Sequence, residues 1–141
     1  MYGENIERGD IKDVNRYKQL ISYAGLERRR KITPTDIDGL IDYNGNSFIY
    51  MEGKMTGKAI DYGQKKALQN LIDSHEKAGN PSIAIIFRHD EPPDQKIIAK
   101  DKLISEIYYK GEWRPPSKVG ITVLEFIEKW EEYWDNKNYS L

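Results

Sequence analysis

Apolar positions along the chain follow two periods. Ile11, Val14, Tyr17, Ile21 and Ala24 recur every three or four residues, the spacing of a helix face, with Asp10 placed to cap its start and Gly25 to end it. Thr33-Pro34-Thr35 disfavours helix before Asp36. There the period becomes two: Ile37, Gly39 and Ile41 alternate with Asp36, Asp38, Leu40 and Asp42, which predicts a strand. Tyr43-Asn44-Gly45-Asn46 reads as a hairpin turn, because Asn-Gly accepts the positive φ that such turns require. Ser47 to Met55 is then the antiparallel return strand. A second helix starts at Asp61 and carries Gln64, Ala67, Leu68, Leu71, Ile72 and His75 on one face, until Gly79-Asn80-Pro81 stops it. Ile83 to Phe87 is an unbroken apolar run, expected of a strand covered on both sides. Strand, helix and buried strand predict a right-handed crossover with the two strands parallel.

Pro92-Pro93 opens a loop, and Lys96 to Ala99 and Leu103 to Tyr109 are further strand candidates. Gly111 and Pro115-Pro116 mark turns around Trp113. Thr122-Val123-Leu124-Glu125 has the form of a capping box, opening a helix that buries Val123, Phe126, Ile127, Trp130 and Trp134. No repeat, low-complexity tract or linker interrupts the 141 residues, so the expectation is one α/β domain spanning 1–141: a mixed central sheet flanked by helices.

Composition narrows the chemistry. The chain has no Cys, which removes disulfides, thiolate catalysis and Cys-ligated metals, and its two His are far apart. A metal here would be a hard cation held by carboxylates. No apolar run is long enough to span a bilayer and no secretory signal is evident, so an intracellular protein with no membrane partner is expected. The net charge of −1 conceals +3 over residues 1–35 and −3 over residues 121–141. Arg28-Arg29-Arg30-Lys31 is the densest basic run; it is either a solvated loop or a contact for phosphates.

An acid followed two residues later by Lys occurs four times, so the tripeptide alone carries little. Glu52-Gly53-Lys54 differs in its setting. It lies at the end of a predicted strand, where period two puts Glu52 and Lys54 on one face. Its hairpin partner carries Asp36 and Asp38, and Asp38 and Glu52 flank the turn by similar distances. Adjacent carboxylates repel unless a divalent cation neutralises them. A Lys beside such a pair can contact a phosphate or orient an attacking water, a set suited to phosphodiester hydrolysis.

On these residues, Thr35 to Ile41 and Phe48 to Lys54, the sequence resembles the PD-(D/E)xK nuclease superfamily, nearest its Holliday-junction-resolvase-like and exonuclease-like branches. The resemblance covers roughly residues 10 to 90. It implies a restriction-endonuclease-like core, in helix–strand–strand–helix–strand order with a C-terminal helix added. It also implies that Asp38 and Glu52 hold Mg²⁺, with Mn²⁺ substituting, that the Gly53 carbonyl joins them, and that Lys54 serves the nucleophile. The literal Pro before the first acid is absent: Pro34 stands two residues before Asp36 and four before Asp38. Asp38 is preferred because Leu40-Ile41 follows it, leaving Asp36 as a supporting or second-metal residue. Gln64 stands where relatives carry a Gln or Tyr, and is either an active-site residue or a backbone-bonded boundary residue. Glu27 is the candidate for the additional acid that many relatives supply from the first helix; otherwise it is a surface partner of the neighbouring Arg residues.

The expected activity is metal-dependent DNA hydrolysis with structure or end specificity, of junction-resolvase, exonuclease or nicking type. Such small nucleases serve recombination or repair and occur in phages and mobile elements, often as homodimers. The alternatives are a catalytically inactive binding module of the same fold, or a ribonuclease. Nucleic-acid contacts are expected from Arg28, Arg29, Arg30, Lys31, Lys58 and Arg114. Trp113, Tyr108 and Tyr109 either stack on bases or pack on the core. His89 ends the buried strand and is either structural or close to the site.

Overall fold

A computed structural model describes residues 21–141, and the chain divides into two compact units, 1–34 and 35–141. The body of the helix expected from Asp10 lies outside the described residues. Residues 21–25 run as coil and a turn, with Gly25 at φ +84° and Ile21 exposed. The predicted helix therefore does not extend through residues 21–25. Arg29–Lys31 forms a single tight turn in which Arg30 and Lys31 both take left-handed φ, closed by the Ile32 N–H donating to the Arg29 carbonyl at 3.1 Å.

The second unit is a mixed α/β fold: an open five-stranded sheet with two helices. The strands are β1 (Gly39–Asp42), β2 (Phe48–Met55), β3 (Ser82–His89), β4 (Leu103–Tyr109) and β5 (Glu112–Arg114), in spatial order β1-β2-β3-β4-β5. The helices are α1 (Tyr62–Lys77) and α2 (Val123–Asn136). β2 and β3 are parallel and the other neighbours antiparallel. The hairpin forms as the Asn-Gly signal requires, with Asn44 at φ 54° and Gly45 at φ 81°. β1 is shorter than the alternation suggested, starting at Gly39. Lys96 to Ala99 is not a strand: it is loop entering a short turn at Ala99–Asp101, and none of the described strands forms a ladder with it. Asp61 precedes α1 but its side chain makes no capping bond, whereas Thr122 Oγ1 accepts from the Glu125 N–H at 3.2 Å.

Alternation sorts the side chains onto two faces. One face packs Ile49, Ile83, Ile85, Phe87, Ile104 and Ile107 against Ile121, Val123 and Trp130 at α2. The other packs Tyr50, Ala84 and Tyr108 against Leu68 and Ile72 of α1. β3 is therefore covered on both sides, as its continuous apolar run implies. Among the described residues, no helix is long and apolar enough to cross a membrane.

Candidate active site

The α1 face carries a polar row immediately beyond its apolar core. Leu40 pairs with Tyr50 and Gly39 with Met51, so continuing the register brings Asp38 level with Glu52. The two residues interlock. The Asp38 backbone N–H donates to Glu52 Oε2 at 3.3 Å, and Asp38 Oδ2 accepts from the Gly53 N–H at 2.8 Å. The N–H and carbonyl of one strand residue point to the same side, so the Gly53 carbonyl is directed toward the edge where Asp38 lies. Glycine suits position 53, because a Cβ there would sit 2.6 Å from Phe87 Cζ and force that ring to shift.

Glu52 is only 4% exposed, whereas Asp38 and Asp36 are exposed. Its side chain is completed from above by α1: Gln64, in the first turn, donates through Nε2 to Glu52 Oε1 at 3.1 Å. Burial first, and then the neighbouring Asp38 carboxylate, push the Glu52 carboxyl up to about 7. Asp36 adds a smaller effect in the same direction, while the Asp38 N–H opposes it. A buried acid facing a second acid is held partly protonated, and a cation reverses both causes.

Lys54 is half-buried on the same face as Glu52 and makes no ion pair among the described residues. The carbonyl of Gln64, Oε1, is buried without a hydrogen-bond partner. An orphaned acceptor on the amide that binds Glu52 fits a site that takes a water and a hard cation. Among the described residues no group of three or more His, Asp or Glu gathers as a metal cluster, so a cation here would rest on the Asp38–Glu52 pair, with oxygen from backbone or solvent. Asp36 is exposed and close enough for its charge to act on Glu52.

Comparison with protein-family models, curated proteins and solved structures finds no match.

Glu27 and Arg28 to Lys31 are exposed in the first unit. Lys58 is exposed in the turn that follows β2. Arg114 pairs with Ile107, which puts it on the α2 face, opposite Glu52, where its guanidinium lies 5.9 Å from the Tyr109 ring. His89 falls on the face of Phe87, also away from Glu52. Tyr108 is 2% exposed and donates to Asp73 at 2.7 Å, so it is not presented for stacking on bases, while Trp113 is half-buried against the same core. The sequence reading missed Arg88, which the register sets beside Lys54. It follows an apolar run and resembles a mere strand terminator until the pairing of β2 with β3 is known.

Proposed function

We propose that this chain is a metal-dependent deoxyribonuclease with the restriction-endonuclease-like core of the PD-(D/E)xK nucleases. The observation that carries this reading is the interlocked Asp38–Glu52 pair, one acid buried, with Lys54 following on the same face. Asp38 and Glu52, joined by the Gly53 carbonyl, would hold Mg²⁺ or Mn²⁺, with Asp36 adding negative charge nearby. When bound, the cation supplies the positive charge that lets both carboxylates ionise at neutral pH and draws charge from a phosphate oxygen.

The chain's own residues do the rest. Lys54 donates to the phosphate and neutralises charge that develops as water attacks phosphorus, losing its proton to solvent, and the opposite P–O bond breaks, the departing oxygen taking a proton from solvent. Gln64 Oε1 accepts a hydrogen bond from the attacking water and so aims it, while its Nε2 stays on Glu52. Lys58 contributes contacts to flanking phosphates, which give affinity without reading sequence, and Arg28, Arg29, Arg30 and Lys31 are a separate exposed basic run in the first unit that phosphates can also contact. Structure or end specificity suits a chain with this little surface for reading bases.

The test is a cleavage panel of linear, nicked, branched and single-stranded DNA, and RNA, with Mn²⁺ or with EDTA. Cutting of at least one DNA form that EDTA and Asp38→Asn both abolish supports the reading. Full activity in Asp38→Asn, or cutting of RNA alone, contradicts it.

A further inference from the structure

The pairing of β3 with β4 runs through Ile86↔Glu106 and resumes at Phe87↔Ile104, so Ser105 is an extra residue on β4. Bulges of this kind re-aim neighbouring side chains and gather near active sites. The Ser105 hydroxyl donates to the Ile86 carbonyl at 3.3 Å and accepts from Arg88 Nε at 3.2 Å. From this anchor the Arg88 guanidinium turns toward β2. Its Nη1 donates to the Met55 carbonyl at 3.2 Å and also to the Lys58 carbonyl.

Those two carbonyls bracket a tight turn. The Lys58 N–H closes it onto Met55 at 3.1 Å, Gly57 takes φ +84°, and the Thr56 N–H donates to the His89 carbonyl at 3.0 Å. The turn begins directly after Lys54 and leads into α1, which carries Gln64. Arg88 has no carboxylate partner among the described residues. A guanidinium on a strand face, bonded to two carbonyls of one turn and to the hydroxyl of a bulge, is a rigid fork that a lysine cannot reproduce.

We infer that Arg88 is a positioning residue: aimed by the Ser105 bulge, it holds the Met55–Lys58 turn and so keeps Lys54 and Gln64 in place around Asp38 and Glu52. Its catalytic consequence rests on the nuclease reading. Small misplacements of positioned groups cost up to about 100-fold in rate, and that is the scale expected here.

The experiment compares Arg88→Lys, Arg88→Gln and Ser105→Ala with the wild-type chain in three readouts: hydrogen exchange at the Lys58 amide, Mn²⁺ affinity, and kcat and KM on the substrate that is cut. Arg88→Lys and Arg88→Gln should both lose protection at Lys58 and lose about 10- to 100-fold in kcat, with KM and Mn²⁺ affinity nearly unchanged. Ser105→Ala, the milder change, should move the same readouts less and in the same direction. Wild-type kcat in Arg88→Lys would overturn the inference, since charge alone would then suffice, as in a direct phosphate contact. Unchanged Lys58 protection in Arg88→Lys would overturn it as well. A wild-type chain that cuts nothing in the panel would count against the nuclease reading, and Lys58 exchange would still decide whether Arg88 holds the turn.

Discussion

Asp38 and Glu52 each bind the backbone at or next to the other: the Asp38 N–H reaches Glu52 Oε2 at 3.3 Å, and the Asp38 carboxylate takes the N–H of Gly53 at 2.8 Å. This exchange replaces the strand ladder where β1 ends. It locks two like charges into proximity, a strain that favours either a proton or a cation between them. The behaviour of Glu52 in the absence of metal follows directly.

With its carboxyl raised from 4.5 to about 7, Glu52 favours folding when protonated. That contribution is full below about 4.5 and is lost as pH rises through about 7, a difference on the order of 3 kcal/mol. Metal-free wild-type protein should therefore melt lower at pH 8 than at pH 5.5 as far as this group is concerned. Glu52→Gln should flatten that slope and raise the melting temperature at pH 8, while abolishing cleavage. Calorimetric melting across this pH range checks both.

His75 acts in the opposite sense. Its ring stacks on Phe48 with centroids 4.0 Å apart and its Nε2 meets the Tyr50 hydroxyl at 2.8 Å. Burial holds its pKa below the usual 6.5, with Asp42 partly opposing. A depressed folded-state pKa gives stability that is present above the unfolded value and lost as pH falls through the folded one. His75→Phe should remove part of the acid-side loss of stability below about pH 6.5, read as the change in melting temperature between pH 7.5 and pH 5. An unaltered acid limb would remove His75 from the account.

Gly53→Ala should destabilise the fold by about 1–3 kcal/mol, because the new methyl meets Phe87 Cζ at 2.6 Å and Cε1 at 2.7 Å. Combining it with Phe87→Leu should cost less than the sum of the two single changes, measured by urea unfolding. Strict additivity would mean that the clash is relieved elsewhere.

Ser47 ties α2 to the sheet: its hydroxyl donates to the Pro81 carbonyl at 2.7 Å and accepts from Trp130 Nε1 at 3.1 Å, fully buried. Ser47→Ala leaves the buried indole N–H unpaired and removes one of the two bonds to the Pro81 carbonyl, which still accepts from the Phe48 N–H at 3.3 Å, and should cost about 1–3 kcal/mol. Mn²⁺ affinity should not change, since Ser47 lies at the opposite end of β2 from Glu52.

The parts of this fold that were legible in the sequence are those that local chemistry decides. Asn44-Gly45 dictates the hairpin, and the hairpin's register aligns Asp38 with Glu52. The apolar run Ile83 to Phe87 foretells a strand covered on both faces and paired in parallel with β2. Gln64 was legible because helical period turns it toward the sheet, where it meets Glu52. The features that stayed hidden depend on which strands pair. Lys96 to Ala99 has strand-like residues but no ladder to join. Arg114 looks available for nucleic acid until pairing with Ile107 turns it to the α2 face. Arg88 becomes informative only through a one-residue bulge at Ser105, which no local pattern announces.

The central claim is that Asp38 and Glu52 together hold a divalent cation. Titration of Mn²⁺ into metal-free protein at pH 7.5, followed by electron paramagnetic resonance of the free ion, tests it without requiring a substrate. The account predicts saturable uptake by the wild-type chain that is lost in both Glu52→Gln and Asp38→Asn. Absence of uptake by the wild type, or equal uptake by the two variants, would contradict it.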